Sequence, residues 1–251
     1  MIYDVWHDCI TIAKHSRKFA KHAEKNRGSA IRKSKYDPNC VTDSGSIGLE
    51  DARFLADIIE KHKPRAIAEI GTWFGTSAYA MAFAQRCCGI LGHIYTCDTK
   101  DLFLEGLCTR DGQVIRGVEF FHGHSTAMLK KLWRRGVVLD FLFVDGRLDN
   151  KDWKLILKLF GSNPLFVATH DIGERKGIMA KRGFMRAARG PYDIMVPTPE
   201  SSIWCAREKR AHKWGFENIE ETEKVFFKPG NYKVGAGGDS ELQLHYNGMF
   251  S

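Results

Sequence analysis

The sequence predicts an α/β protein with a doubly wound, mostly parallel seven-stranded sheet that ends in an antiparallel C-terminal hairpin. Three observations predict it. Short, nearly continuous apolar runs such as RAIAEIG, LDFLFVDG and PLFVATHD have the composition of strands buried on both faces. Helical patterns separate these runs, as parallel crossovers require. After residue 190, YDIMVPTPESSIWCARE holds two strand-like runs whose Pro- and Ser-containing link is too short for a helical crossover, so they should pair antiparallel at the sheet's edge.

The elements follow in order. Residues 1–41 read as a basic extension of one or two amphipathic helices, with Val5, Ile10, Ile12, Phe19 and Ala23 as a discontinuous apolar stripe. The turn-rich DPNCVTDSGSIG leads into LEDARFLADIIEKHKP, where Leu49, Ala52, Phe54, Leu55, Ile58 and Ile59 recur at helical spacing before Pro64 stops the helix. From there strand and helix alternate: RAIAEIG, then TSAYAMAFAQRCC, HIYTCD, GVEFFHG, STAMLKKLWRRG, LDFLFVDG, NKDWKLILKLFG and PLFVATHD. The alternating unit spans 42–210, and 211–251 reads as a charged helix followed by a glycine-rich tail.

Composition narrows the class. With 251 residues, 43% of them hydrophobic, the chain can bury a full core. No apolar run approaches the roughly 18 residues that cross a bilayer, and the first residues lack a secretory pattern, so a soluble, cytoplasmic protein is expected. Its seven cysteines form no CxxC pair and read as reduced thiols. The net charge of +8 gathers near the N-terminus and in ERKGIMAKRGFMRAARG. Such clusters attract phosphates or acidic partners, although no nucleic-acid-binding signature accompanies them.

In open α/β sheets ligands bind beyond the carboxyl ends of the strands. Every expected parallel strand ends there in polar or glycine residues: Glu69-Ile70-Gly71, Cys97-Asp98, His122-Gly123-His124-Ser125, Asp145-Gly146 and Thr169-His170-Asp171. Gly71 lets the backbone turn close to a ligand, Gly75 lets the next helix pack near, and Thr76 and Ser77 open that helix with free N–H donors. Asp98 ends the next strand, where a carboxylate can accept both hydroxyls of a ribose. A dinucleotide site would show GxGxxG. The chain has ExGxxxG instead, and Glu69 would repel a phosphate but suits an ammonium group.

That combination resembles motif I of the class I S-adenosylmethionine-dependent methyltransferases. The resemblance spans roughly residues 42–207, and IGLEDARFLADII, AEIGTWFGTSAYAMA, HIYTCD, GHSTAML, DFLFVDG and ATHDI, in that order, look like the catechol and macrocin O-methyltransferase-like branch. It implies a Rossmann-like methyltransferase fold with S-adenosyl-L-methionine as cofactor. Glu69, Gly71 and the loop Thr72 to Ser77, with Gly75 and Thr76, would cradle the methionine part. Asp98 would hold the ribose, His124 and Ser125 would border the adenine, and Asp145 would close the cofactor site.

In the resembling families, groups at the ends of the fourth and fifth strands bind a divalent metal, often magnesium, which orients an acceptor hydroxyl. Carried over, Asp145, His170 and Asp171 are the metal candidates, while His170 and Asp145 are the catalytic ones, His170 as general base. The chain reads VDGRLD, with Leu148 where macrocin-like members often have histidine. A small-molecule acceptor, acidic if the 174–190 segment acts as its lid, is the expected partner. An RNA methyltransferase gripping phosphates with the basic extension, or a non-catalytic scaffold that retains the fold, is the alternative.

Overall fold

The computed structural model describes residues 5–9, 11, 47–105, 115–171, 175–195 and 202–209, the strands after Ala188 and Arg175 as backbone only. Two compact units divide the chain, Met1–His212 and Lys213–Ser251, and the second lies outside the described residues.

Within the first unit the order is α1 (Leu49–His62), β1 (Ala66–Ile70), α2 (Thr76–Cys87), β2 (His93–Asp98), β3 (Val118–His122), α3 (Ser125–Arg134), β4 (Phe141–Val144), α4 (Asn150–Phe160), β5 (Leu165–Thr169), α5 (Arg175–Ala187), β6 (Ala188–Met195) and β7 (Ser202–Lys209). The seven strands lie in the order β3-β2-β1-β4-β5-β7-β6. β1 to β5 are parallel, whereas β7 runs antiparallel to both β5 and β6. The expected parallel sheet with its antiparallel hairpin is therefore present, and β7, the later strand of the pair, is the one that docks on β5.

Strand order reverses between β1 and β4. The crossover through α2 steps from β1 to β2 in one direction, and that through α4 steps from β4 to β5 in the other. With both crossovers right-handed, their helices cover opposite faces. The sheet interior is correspondingly apolar on both sides: Ile67, Phe141, Phe143, Trp153, Phe160 and Phe184 are all fully buried. At the amino ends of the strands, the Asp140 carboxylate accepts from the backbone N–H of Arg65 and Ala66, which ties β1 to β4.

One segment adds a helix that the sequence reading did not include, and another follows that reading. Residues 175–187 form α5, a helix packed by the buried Ala180, Phe184 and Ala187. Its apolar stripe was in the sequence, interrupted by Gly177 and Gly183. Gly183 is where the helix touches Trp153 of α4, so closely that a Cβ there would lie 1.8 Å from the indole nitrogen. At the other end of the unit, residues 5–9 are helical, with Val5, Trp6 and Cys9 buried and the Trp6 indole donating to the Ile47 carbonyl at 2.9 Å. The rest of the 1–41 extension, apart from residue 11, lies outside the described residues.

Candidate active site

The reversal of strand order between β1 and β4 opens the crevice in which this architecture binds ligands. The β1–α2 loop sits at its mouth and is fastened at three points. Underneath, Glu69 is fully buried and its carboxylate accepts hydrogen bonds from the hydroxyls of Ser77 and Thr96. The Thr96 proton is used there, so the Thr72 hydroxyl, 2.5 Å away, donates to the Thr96 oxygen. Burial pushes the Glu69 carboxyl up to about 8 against the opposing effect of those two hydroxyls. Glu69 thus anchors the loop from below.

At its front, the loop folds onto β2. Asp98 accepts the Trp73 N–H at 3.0 Å on one carboxylate oxygen and the Lys100 N–H at 2.9 Å on the other. Each oxygen keeps a second lone pair, so a ribose hydroxyl can still bond there. Trp73 holds a positive φ of 51° in this turn, and the Lys100 ammonium lies 4.4 Å from its ring centroid.

The third point joins β1 to β4. Gly71, at φ 99°, lies backbone to backbone against Asp145, leaving no space for a side chain. Gly75, also at positive φ, caps α2 and faces the ring of Phe103. Thr76 and Ser77 are both buried in the first turn of that helix.

His124 is exposed and stands at the N-cap of α3. Ser125 has a different task from the one expected: its hydroxyl donates to Asp152 at 2.7 Å, beside Thr126 at 2.5 Å. Asp152 is fully buried and also receives the Asp149 N–H, completing the capping box of α4. The Ser125 hydroxyl proton is thus spent on Asp152, while the His124 side chain stays exposed.

Asp145, His170 and Asp171 converge as expected, one ligating atom from each lying within 4.8 Å of the others. His170 Nδ1 is 3.3 Å from Asp145 Oδ1 and 3.4 Å from Asp171 Oδ1, and its Nε2 is 3.4 Å from Asp51 Oδ2. Burial opposes a charge on the ring. The hydrogen bonds to Asp145, Asp171 and Asp51 outweigh burial and push the imidazole up to about 12, so at neutral pH it is a donor without a lone pair to act as base. Asp171, at φ 53°, is held well below the usual carboxylate range: burial opposes this, but the bonds from His170 and Lys176 prevail.

Two residues of this cluster were missed from the sequence. Asp51 sits on the buried side of α1, one turn before Leu55, and a polar residue on an apolar stripe was the available signal. Lys176 comes from the first turn of α5. Its ammonium donates to the Asp145 carbonyl at 3.0 Å, to Asp145 Oδ1 at 2.6 Å and to Asp171 Oδ2. A divalent ion would need the same carboxylate oxygens, which the Lys176 ammonium already occupies. In this arrangement the donor set does not fit such an ion.

Residues 68–162 match the family described as a methyltransferase domain. No curated protein sequence matches the chain. Among solved structures, the O-methyltransferase TomG from Streptomyces achromogenes, involved in tomaymycin synthesis and in complex with SAM, is 19% identical, with a TM-score of 0.52 over 77% of this chain and 91% of that one. The SAH-bound methyltransferase PaMTH1 of Podospora anserina is 16% identical, with a TM-score of 0.48 over 76% and 88% of the two chains. The TomG likeness is one of fold. Within that fold the stretch that matches the methyltransferase domain, residues 68–162, runs from β1 to just past α4 and carries the strand-end residues from Glu69 to Asp145.

Proposed function

We propose that the protein transfers the methyl group of S-adenosylmethionine to an oxygen of a small-molecule acceptor. The contact of Gly71 with Asp145 carries this reading, because it puts the cofactor loop and the polar cluster on one rim. The methionine part would lie along Gly71 to Ser77, the ribose would bond Asp98, and the adenine would be bordered by His124 and Ser125. An acceptor hydroxyl bonds the Asp145 carboxylate and attacks the sulfonium methyl in line. The O–CH3 bond forms as the S–CH3 bond breaks, the hydroxyl proton passes to Asp145, and S-adenosylhomocysteine leaves. His170 donates to the carboxylates and fixes their orientation. Most of the rate comes from holding the two reactants at attack distance.

O-methylation rests on the resemblance to the catechol and macrocin branch. The RNA alternative rests on the basic residues of 1–41, most of which lie outside the described residues. Free thiols at Cys9, Cys87, Cys88 and Cys97 fit a reducing compartment, and we place the enzyme in the cytoplasm on that basis.

Calorimetric titration with S-adenosylhomocysteine, repeated on Gly71→Arg and Asp98→Ala, tests the cofactor half. Micromolar binding, about −8 kcal/mol, lost in both variants, supports it. Absence of binding by folded wild-type protein would move the scaffold alternative forward. A screen of hydroxylated acceptors with methyl-labelled cofactor tests the other half, the methyl shift in NMR reporting whether oxygen or nitrogen is modified.

A further inference from the structure

We propose that Lys176 is the resident cation of this site, standing where a divalent ion would stand, and that transfer proceeds without a bound metal. The inference rests on the methyltransferase reading above and on geometry. An ammonium has three N–H donors and no acceptor. Three oxygens surround this one: the carbonyl and Oδ1 of Asp145, and Oδ2 of Asp171. Each donor therefore has its own acceptor, two of them on carboxylates.

The position is built rather than incidental. Lys176 occupies the first turn of α5, where the helix dipole disfavours a cation and where no acidic residue accompanies it. A lysine there is retained by the carboxylates beyond the helix end. The helix is itself fixed in place by Gly183 against Trp153 and by the buried Phe184. The two carboxylates that hold the ammonium, Asp145 and Asp171, come from the ends of neighbouring strands, β4 and β5. A divalent ion added to this set would bind only by displacing the ammonium, since both need Asp145 Oδ1 and Asp171 Oδ2. Lys176 then does two things. It locks Asp145 and Asp171 as one rigid pair, and its charge favours the ionised form of an acceptor hydroxyl beside Asp145.

Manganese titration followed by electron paramagnetic resonance tests this on the full chain. Wild-type protein should show no stoichiometric site below millimolar concentration. Lys176→Met, which keeps the stem and removes the charge, should bind one manganese ion at least tenfold more tightly than wild type. A tight wild-type site abolished by Asp145→Asn and Asp171→Asn would overturn the proposal, and so would Lys176→Met binding no better than wild type. The wild-type titration needs no variant to fold. Neither measurement needs turnover, so failure of the methyltransferase reading in the cofactor titration would be seen separately. Once an acceptor is found, wild-type turnover should be unchanged by EDTA, and Lys176→Arg should recover a larger part of kcat than Lys176→Met.

Discussion

Gly71 lies against the carbonyl of Asp145, so that a Cβ on the glycine would sit 2.6 Å from the carbonyl carbon and 2.7 Å from its oxygen. Both atoms are backbone of Asp145, just past β4 and tied to β1 by the bond from the Asp145 N–H to the Ile70 carbonyl at 2.8 Å, so neither can swing aside. Gly71→Ala should therefore cost more than the ~1–2 kcal/mol of a left-handed alanine. It should also weaken S-adenosylhomocysteine at least tenfold. Gly89→Ala is the comparison, since Gly89 has φ 66° with nothing within 4 Å. Its cost should stay near ~1 kcal/mol, with cofactor affinity unchanged, and equal losses in the two variants would remove the argument from crowding.

Glu69 makes a pH-dependent prediction whose sign is opposite to that of a salt-bridged carboxylate. Its folded value of about 8 stands above its ordinary value of 4.5, so between these the folded chain holds a proton that the unfolded chain has released. Stability should fall as pH rises from about 4.5 to 8 and then level off. His170 contributes in the same direction at higher pH, its stabilisation being complete below the ordinary histidine value and lost toward about 12. Glu69→Gln isolates the first effect: melting temperatures at pH 5 and pH 8 should differ less in the variant than in wild type. An unchanged slope would show that Glu69 is ionised in the folded protein.

Ser125 and Asp152 should behave as stability residues. Removing the Ser125 hydroxyl leaves Asp152 with two donors, Thr126 and the Asp149 N–H, and should cost ~1 kcal/mol with S-adenosylhomocysteine affinity held within twofold. Asp152→Ala strands three donors and opens the α4 cap, so a loss of ~3 kcal/mol or more is expected by urea unfolding. Loss of affinity in Ser125→Ala with an unchanged melting temperature would reverse the assignment and return the hydroxyl to the adenine.

Gly183→Ala sets two effects against each other. Alanine improves helix propensity by ~1 kcal/mol over glycine. The added methyl would enter the Trp153 ring, whose nearest atoms lie at 1.8, 2.3 and 2.5 Å, and the ring is itself almost fully buried. Overpacking of this kind costs ~1–3 kcal/mol, and contact this close belongs at the upper end. The variant should melt lower than wild type, and a higher melting temperature would mean that α5 does not pack on α4 in this way.

Much of this protein was determined by its sequence alone. Apolar runs such as FLFV and LFVAT have the composition of strands buried on both faces, and the helical patterns between them fit parallel crossovers, so the sheet and its edge hairpin were legible in local composition. The strand-end residues were legible for the same reason, because the carboxyl edge of each strand is a position along the chain. What the tertiary structure decided was which of those residues look outward and which are spent inside. Glu69, read as a partner for an ammonium group, is enclosed by Ser77 and Thr96; the Ser125 hydroxyl is turned to Asp152, 27 positions away. Asp51 reaches His170 from α1 and Lys176 reaches Asp145 from α5, two helices far apart along the chain, and α5 itself was hidden by glycines whose use is visible only against Trp153. Sequence periodicity reports burial of an element's face, whereas the partner of a charged side chain depends on which distant elements the strand order brings to one edge.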